Sequence, residues 1–355
     1  MKQQRYVYMD YLRFFAVIAI IFIHISGQNW YLSDFAMLEW NICNVFNGIS
    51  RWGVPVFVML SGALFLEREI PIKQLYTKYI LRLLVAYCVW SVFYATIVPL
   101  GQLLLGKITS ISWKYIVSHS IRGAYHMWFI PMIVGLYMCI PIIKKITESK
   151  TASCYFLILS VLFTFVLPQI KVLSCDFIGG LFYSGIKEVS GVISTMNMEL
   201  VLGFSFYFIL GYWLNNMELT KKQRQIIYIL GVLGFLLTII LNSIMTWKTN
   251  APYTTYYDSF SVNVMLEAIA VHTWFKYRSY ACQRMNKVMS VLSKCCFGAY
   301  LVHVFVIAGF SAIGLDTMTL FPAISVPVMG LLVTTVSIII SLIIHKIPVL
   351  NKWIV

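Results

Sequence analysis

The stretch from Met9 to Gln28, MDYLRFFAVIAIIFIHISGQ, decides the fold. Ten uninterrupted apolar residues, Phe14 to Ile23, run between Arg13 and His24, with Asp10 just before them. The run has the length and apolarity of a membrane helix, yet it carries ionisable groups within it. On insertion scales a charge at the centre of such a helix costs about 2.5 to 3.5 kcal/mol, so these residues are rare unless they face a protein interior or a wet cavity.

The rest of the chain has the same character. It is 60% hydrophobic and 11% charged, with a mean hydropathy of +0.82, against roughly 25% charged residues in a soluble domain. Ten runs approach the ~20 residues that a helix needs to cross the hydrocarbon layer. They fall at 7 to 29, 48 to 66, 79 to 100, 126 to 143, 152 to 170, 199 to 215, 226 to 246, 260 to 275, 293 to 312 and 324 to 345. Each is continuous and lacks the alternation of a membrane barrel, so helices must satisfy the backbone. The expected fold is an all-α bundle of about ten transmembrane helices.

Basic residues orient the bundle, because short cytoplasmic loops carry the excess of lysine and arginine. With the N-terminus inside, eighteen of the 27 lie in cytoplasmic segments, beginning with Lys2 and Arg5, and seven on the opposite side. Both termini are therefore expected in the cytoplasm. This asymmetry accounts for the net charge of +14 without a nucleic-acid partner, since no single basic patch forms. Asp10 and Arg13 interrupt the core that a cleaved signal peptide would need, and no small-residue cleavage site follows. The eight cysteines contain no C-x-x-C pair, so neither a metal site nor a disulfide framework is indicated. With no internal repeat or long linker, residues 1–355 read as one membrane-embedded domain without an appended soluble domain.

At 100° per residue Asp10 lies about 60° from Arg13, and His24 returns to within about 20° of Arg13, about 16 Å along the axis. All three share one stripe, which lipid cannot accept. An ion pair between Asp10 and Arg13 and a capping role for His24 would also explain them. Other polar residues join the list: Arg51 opening the second span, Ser61 further along it, His126 and Trp128 at the start of the fourth, Glu267 in the eighth and His303 in the ninth. Taken singly, His126 and Trp128 also suit an interfacial belt, His303 a satisfied core, and Glu267 a partner for a buried base.

Together, the arginine and histidine of the first span and the segments VPVFVMLSGALF, YHMWFIPMIVGLYMCIPII and FGAYLVHVFVI, in this order, resemble acyltransferase family 3, the bacterial membrane enzymes that O-acylate surface glycans. The resemblance implies acetyl-CoA as cytoplasmic acyl donor, with no tightly bound cofactor, and a polysaccharide or lipid-linked glycan as acceptor on the far side of the inner membrane. It also implies an essential histidine at His24 with Arg13 below it. Two departures stand out. Many members carry an R-x-x-R pair where this chain has Lys78 and Arg82, and many have an acidic residue where Pro55 stands, whereas Arg51 is shared with one branch of the family.

The chemistry fits these positions. A thioester must meet a sugar hydroxyl that loses its proton, and histidine is suited to that task near neutral pH. His24 could act as the base or carry the acyl group itself. Arg13, Lys78 and Arg82 could hold the phosphates of the coenzyme, although Lys78 and Arg82 also read as ordinary cytoplasmic charge. Arg51, His126 and Trp128 could orient the acceptor or stabilise an oxyanion. The competing class is a transporter or flippase for a lipid-linked glycan, but the paired, broken spans of such folds are not visible. A membrane sensor would need a partner module.

Overall fold

The computed structural model describes residues 6–30, 37–196 and 202–354, and among these the chain is helical without strands. Lys2, Arg5, residues 31–36 of the first expected outer loop and residues 199–201 of the sixth predicted span lie outside the described residues. The helices are α1 Val7–Ser26, α2 Leu38–Leu66, α3 Ile72–Leu104, α4 Trp113–Met138, α5 Ile140–Thr147, α6 Lys150–Ile178, α7 Gly180–Ser194, α8 Phe204–Asn216, α9 Lys221–Thr249, α10 Val262–Lys276, α11 Gln283–Ala312, α12 Pro322–Lys346 and α13 Pro348–Trp353.

Seven of these, α1, α2, α3, α6, α9, α11 and α12, are long and apolar enough to cross a membrane. The pair α4 and α5, bent by 60°, makes up to eight. The predicted spans at 199 to 215 and 260 to 275 appear as α8 and α10, of 13 and 15 residues. Both fall short of the ~20 residues that a lone span needs, and both are lined with buried residues, so protein rather than lipid surrounds much of their length.

The chain divides into two compact, interleaved units. The first comprises Met1–Arg68, Ile142–Ser293 and Asp316–Leu331, and the second Glu69–Pro141, Lys294–Leu315 and Leu332–Val355.

In the first unit, small residues let helix backbones touch. A Cβ on Gly62 of α2 would stand 1.8 Å from the carbonyl oxygen of Phe208 in α8, and one on Gly211 of α8 would stand 2.0 Å from that of Met59. Gly231 and Gly234 do the same for α9 against α10, where added Cβ atoms would meet Ala270 and the carbonyl of Asn263. Such small-residue contacts replace the hydrophobic drive that lipid cannot supply. The polarity of α9 is correspondingly inverted from that of a soluble helix. Ile229, Val232, Leu236 and Ile240 are exposed, whereas Thr238, Asn242 and Thr246 are buried.

In the second unit, Tyr87 of α3 donates to the carbonyls of Ile121 and Arg122, at 3.0 and 2.6 Å, and so ties α3 to the first half of α4. Tyr94 reaches α11, donating to Leu301 O at 2.8 Å and accepting from Phe305 N at 3.2 Å. Its hydroxyl thus bridges the two groups that an uninterrupted helix would pair directly. Trp90 Nε1 donates to Ile354 O at 3.0 Å.

Candidate functional site

Asp10, Arg13 and His24 all lie on α1 and are partly buried. Half of the helix around them is buried, from Tyr8 and Leu12 through Ala16 and Ile21 to Ile25 and Ser26. Arg13 Nη1 donates to Ser293 Oγ in α11 at 2.9 Å, so the guanidinium is anchored within the first unit. The last turn of α1 is held from α2. Asn47 Nδ2 donates to Ile23 O at 3.1 Å and to Ser26 Oγ at 2.9 Å, bracketing His24 between its two contacts.

Arg51 stands in a turn, Ile49 to Trp52, that divides α2 into Leu38–Gly48 and Gly53–Leu66. It stands directly before the apolar half Gly53–Leu66, within the long helix Leu38–Leu66. Its Nη2 donates to Asn47 Oδ1, and its guanidinium carbon sits 4.0 Å from the centre of the Tyr257 ring. Tyr257 in turn donates to Asn44 Oδ1 and packs against Trp30, with ring centres 5.3 Å apart. The arginine is therefore clamped between an amide and an aromatic face, a combination suited to guanidinium.

Glu267 on α10 is fully buried. Thr238 on α9 donates to its Oε1, and Asn263 donates to the same threonine hydroxyl at 2.7 Å. Its other carboxyl oxygen has no hydrogen-bond partner among the described residues. Nearby, Asp176 accepts from the Tyr253 and Tyr256 hydroxyls, each at 2.8 Å. Burial pushes the Tyr253 phenol up to about 12, so it remains a donor at neutral pH. Ser61 is partly buried in the second half of α2.

The second unit holds the remaining candidates. His126 sits in a tight turn, Tyr125–Trp128, between the halves of α4 and is 2% exposed. The His303 ring of α11 approaches it edge-on at 5.1 Å between centres, Tyr94 also lies at 5.1 Å, and Tyr300 donates to the His126 carbonyl at 2.5 Å. His303 Nδ1 lies 2.6 Å from Tyr300 O. A carbonyl can only accept, so this nitrogen carries the proton and a neutral ring presents Nε2 as its basic atom. Trp128 is half exposed. Lys78, in a widened π turn over Leu75–Ile80, and Arg82 one turn later are both exposed.

Two residues far apart in sequence, His126 and His303, thus converge, as do Arg51 and the end of α1 through Asn47. Sequence reasoning missed Asn47, whose signal was a second asparagine one helical turn after Asn44. It also missed His272, in the same apolar run as Glu267. That histidine is fully buried on α10, its ring edge-on to Tyr8 of α1 at 5.9 Å, and among the described residues neither ring nitrogen has a hydrogen-bond partner. Among the described residues no group of three His, Cys, Asp or Glu is arranged to hold a metal ion.

Helices long and apolar enough to cross a membrane, with ionisable side chains buried among them, define a multi-pass membrane protein. The chain belongs to acyltransferase family 3: the model of that family, described as an acyltransferase domain, matches residues 6–346. It is accordingly a membrane acyltransferase. No curated protein and no solved structure matches the chain.

Proposed function

We propose that the protein moves an acetyl or similar small acyl group from cytoplasmic acetyl-CoA to a hydroxyl of a polysaccharide or lipid-linked glycan on the outer side of a bacterial inner membrane, through a bundle of about ten spans with both termini inside. Within the family, the segment NICNVFNGISRWGVPVFVMLSGALF most resembles the O-acetyltransferases of enterobacterial common antigen, which makes a glycan of that class the favoured acceptor. His24 is the base. It takes the proton of the acceptor hydroxyl as the oxygen attacks the thioester carbon; the carbon–sulfur bond breaks, and the coenzyme leaves as a thiolate that is then protonated. The alternative, in which His24 first accepts the acyl group, uses the same nitrogen and the same leaving group.

The observation that carries this reading is the placement of His24 on one partly buried stripe with Arg13 and Asp10, in a turn of α1 whose backbone is pinned by Asn47. An imidazole held by a fixed backbone is what general-base chemistry requires. Arg13, Lys78 and Arg82 are each proposed, on charge, as candidates for the phosphates of the donor. Arg51, His126 and Trp128 are proposed for the acceptor side.

The test is glycan O-acylation by His24→Ala and His24→Gln at matched protein levels. Both should fall to near background, because a general base contributes about 10²- to 10⁴-fold and an amide cannot replace it. Wild-type acylation by His24→Gln would remove His24 from the chemistry.

A further inference from the structure

The face of α1 opposite Arg13 carries a second feature. Tyr11 and Phe15 each lie about 160° around the helix from Arg13, and they line a cleft of about 450 Å³. The rest of the lining includes Trp274 and Tyr280, from the end of α10 and the connection that follows it, and Met285 of α11. The volume lies within the range of small-molecule sites, about 300 to 1,000 Å³.

The cleft is built rather than incidental. Tyr11 and Tyr280 pack with ring centres 4.5 Å apart. Asn286 joins the two tyrosines, accepting from the Tyr11 hydroxyl at 2.9 Å and donating to Tyr280 O at 2.8 Å, while the Tyr280 hydroxyl donates back to Phe275 O at 2.8 Å. Arg278, exposed and part of the lining, holds its guanidinium 4.4 Å from the centre of the Trp274 ring.

Two observations indicate the occupant. From Lys276 to Lys287 the chain has four basic residues and no acidic one; Lys276 is engaged by Glu218 at 3.6 Å, while Arg278, Arg284 and Lys287 are exposed. The apolar lining is exposed too, with Phe15 40%, Trp274 43% and Met285 45% accessible. A basic cluster at the end of a membrane helix beside an apolar, aromatic slot matches a ligand with a phosphate at one end and hydrocarbon at the other. We propose that this cleft binds one anionic glycerophospholipid, its phosphate against Arg278 and the upper part of an acyl chain along Phe15 and Met285. The site stands apart from the Asp10, Arg13 and His24 stripe and does not depend on the acyl-transfer reading.

Native mass spectrometry of the full chain in detergent, titrated with phosphatidylglycerol, phosphatidylcholine, inorganic phosphate or ADP, tests the proposal. Phosphatidylglycerol should be retained in preference to phosphatidylcholine, and Arg278→Gln should weaken its retention about fivefold, the effect of one interfacial cation, with Arg278→Lys restoring most of it. Met285→Trp, which fills the slot without touching the charge, should weaken it as well and serves if Arg278→Gln misfolds. Equal retention of the two lipids, or retention unchanged in Arg278→Gln and Met285→Trp, overturns the proposal. So does displacement of phosphatidylglycerol by ADP or phosphate at comparable concentration, which would mark a site for a soluble anion.

Discussion

Asn47 on α2 donates its side-chain amide to the carbonyl of Ile23, the residue immediately before His24 on α1. Its oxygen accepts from Arg51, which packs on Tyr257. The chain of contacts from Tyr257 to the turn that carries His24 is therefore continuous, and it makes Arg51 a support for that turn as well as a candidate for the acceptor.

Asn47 should consequently act on turnover. Asn47→Ala removes both donations to α1, and a lost buried hydrogen bond of about 1 kcal/mol, together with a displaced base, is expected to lower kcat about tenfold or more with little change in donor KM. Asn47→Asp keeps an acceptor for Arg51 but sets a carboxylate against the Ile23 carbonyl, and should be no better than alanine. Steady-state kinetics at equal protein level check this; full activity in Asn47→Asp would show that only the contact with Arg51 matters.

Arg13 and its partner should act on donor binding. Ser293→Ala leaves the guanidinium without its 2.9 Å acceptor, and hydrogen bonds to charged groups are worth about 1.5 to 3 kcal/mol. A severalfold rise in acetyl-CoA KM is expected for Ser293→Ala, and a larger one for Arg13→Ala. Arg82→Ala, which removes an exposed cation, should raise the same KM. Donor titration of the three variants is the measurement.

Gly62 should be intolerant of any side chain. What a side chain would meet there is backbone, the Phe208 carbonyl at 1.8 Å from an added Cβ, so relief requires α2 and α8 to separate. Gly62→Ala should lower the thermal unfolding temperature in detergent, at a cost at or above the roughly 1 to 3 kcal/mol typical of overpacking. Gly101→Ala, where an added Cβ meets nothing within 4 Å, should leave it unchanged.

The charge-derived topology is tested by thiol labelling. Cys282 is exposed and lies in the 276–292 segment expected in the cytoplasm. In a background without the other exposed cysteines, it should resist an impermeant reagent in intact cells and react once they are opened. Leu38→Cys, at an exposed position in the first outer loop as read from sequence, should react in intact cells. The reverse pattern would invert the orientation.

What the sequence determined by itself is the solvent, the helical class and the stripe on α1. Hydropathy reports directly on transfer to lipid, and Asp10, Arg13 and His24 sit on one helix, where a fixed 100° rotation per residue relates them without reference to anything else. The same locality explains what was not legible. The runs 199 to 215 and 260 to 275 carry no sign of which surfaces surround them, because hydropathy cannot distinguish lipid from apolar protein around a helix; the close approach of Gly62 to Phe208 and of Gly234 to Asn263 is what shows α8 and α10 packed backbone to backbone against their neighbours. The sequence did not show that the helix begins at Leu38 and turns at Ile49 to Trp52, which seats Arg51 between its two halves. Asn47 against Ile23, and His126 against His303, are contacts between separate helices. Their partners are set by which helix faces meet, and that is decided by packing across the whole chain rather than by any local pattern of residues.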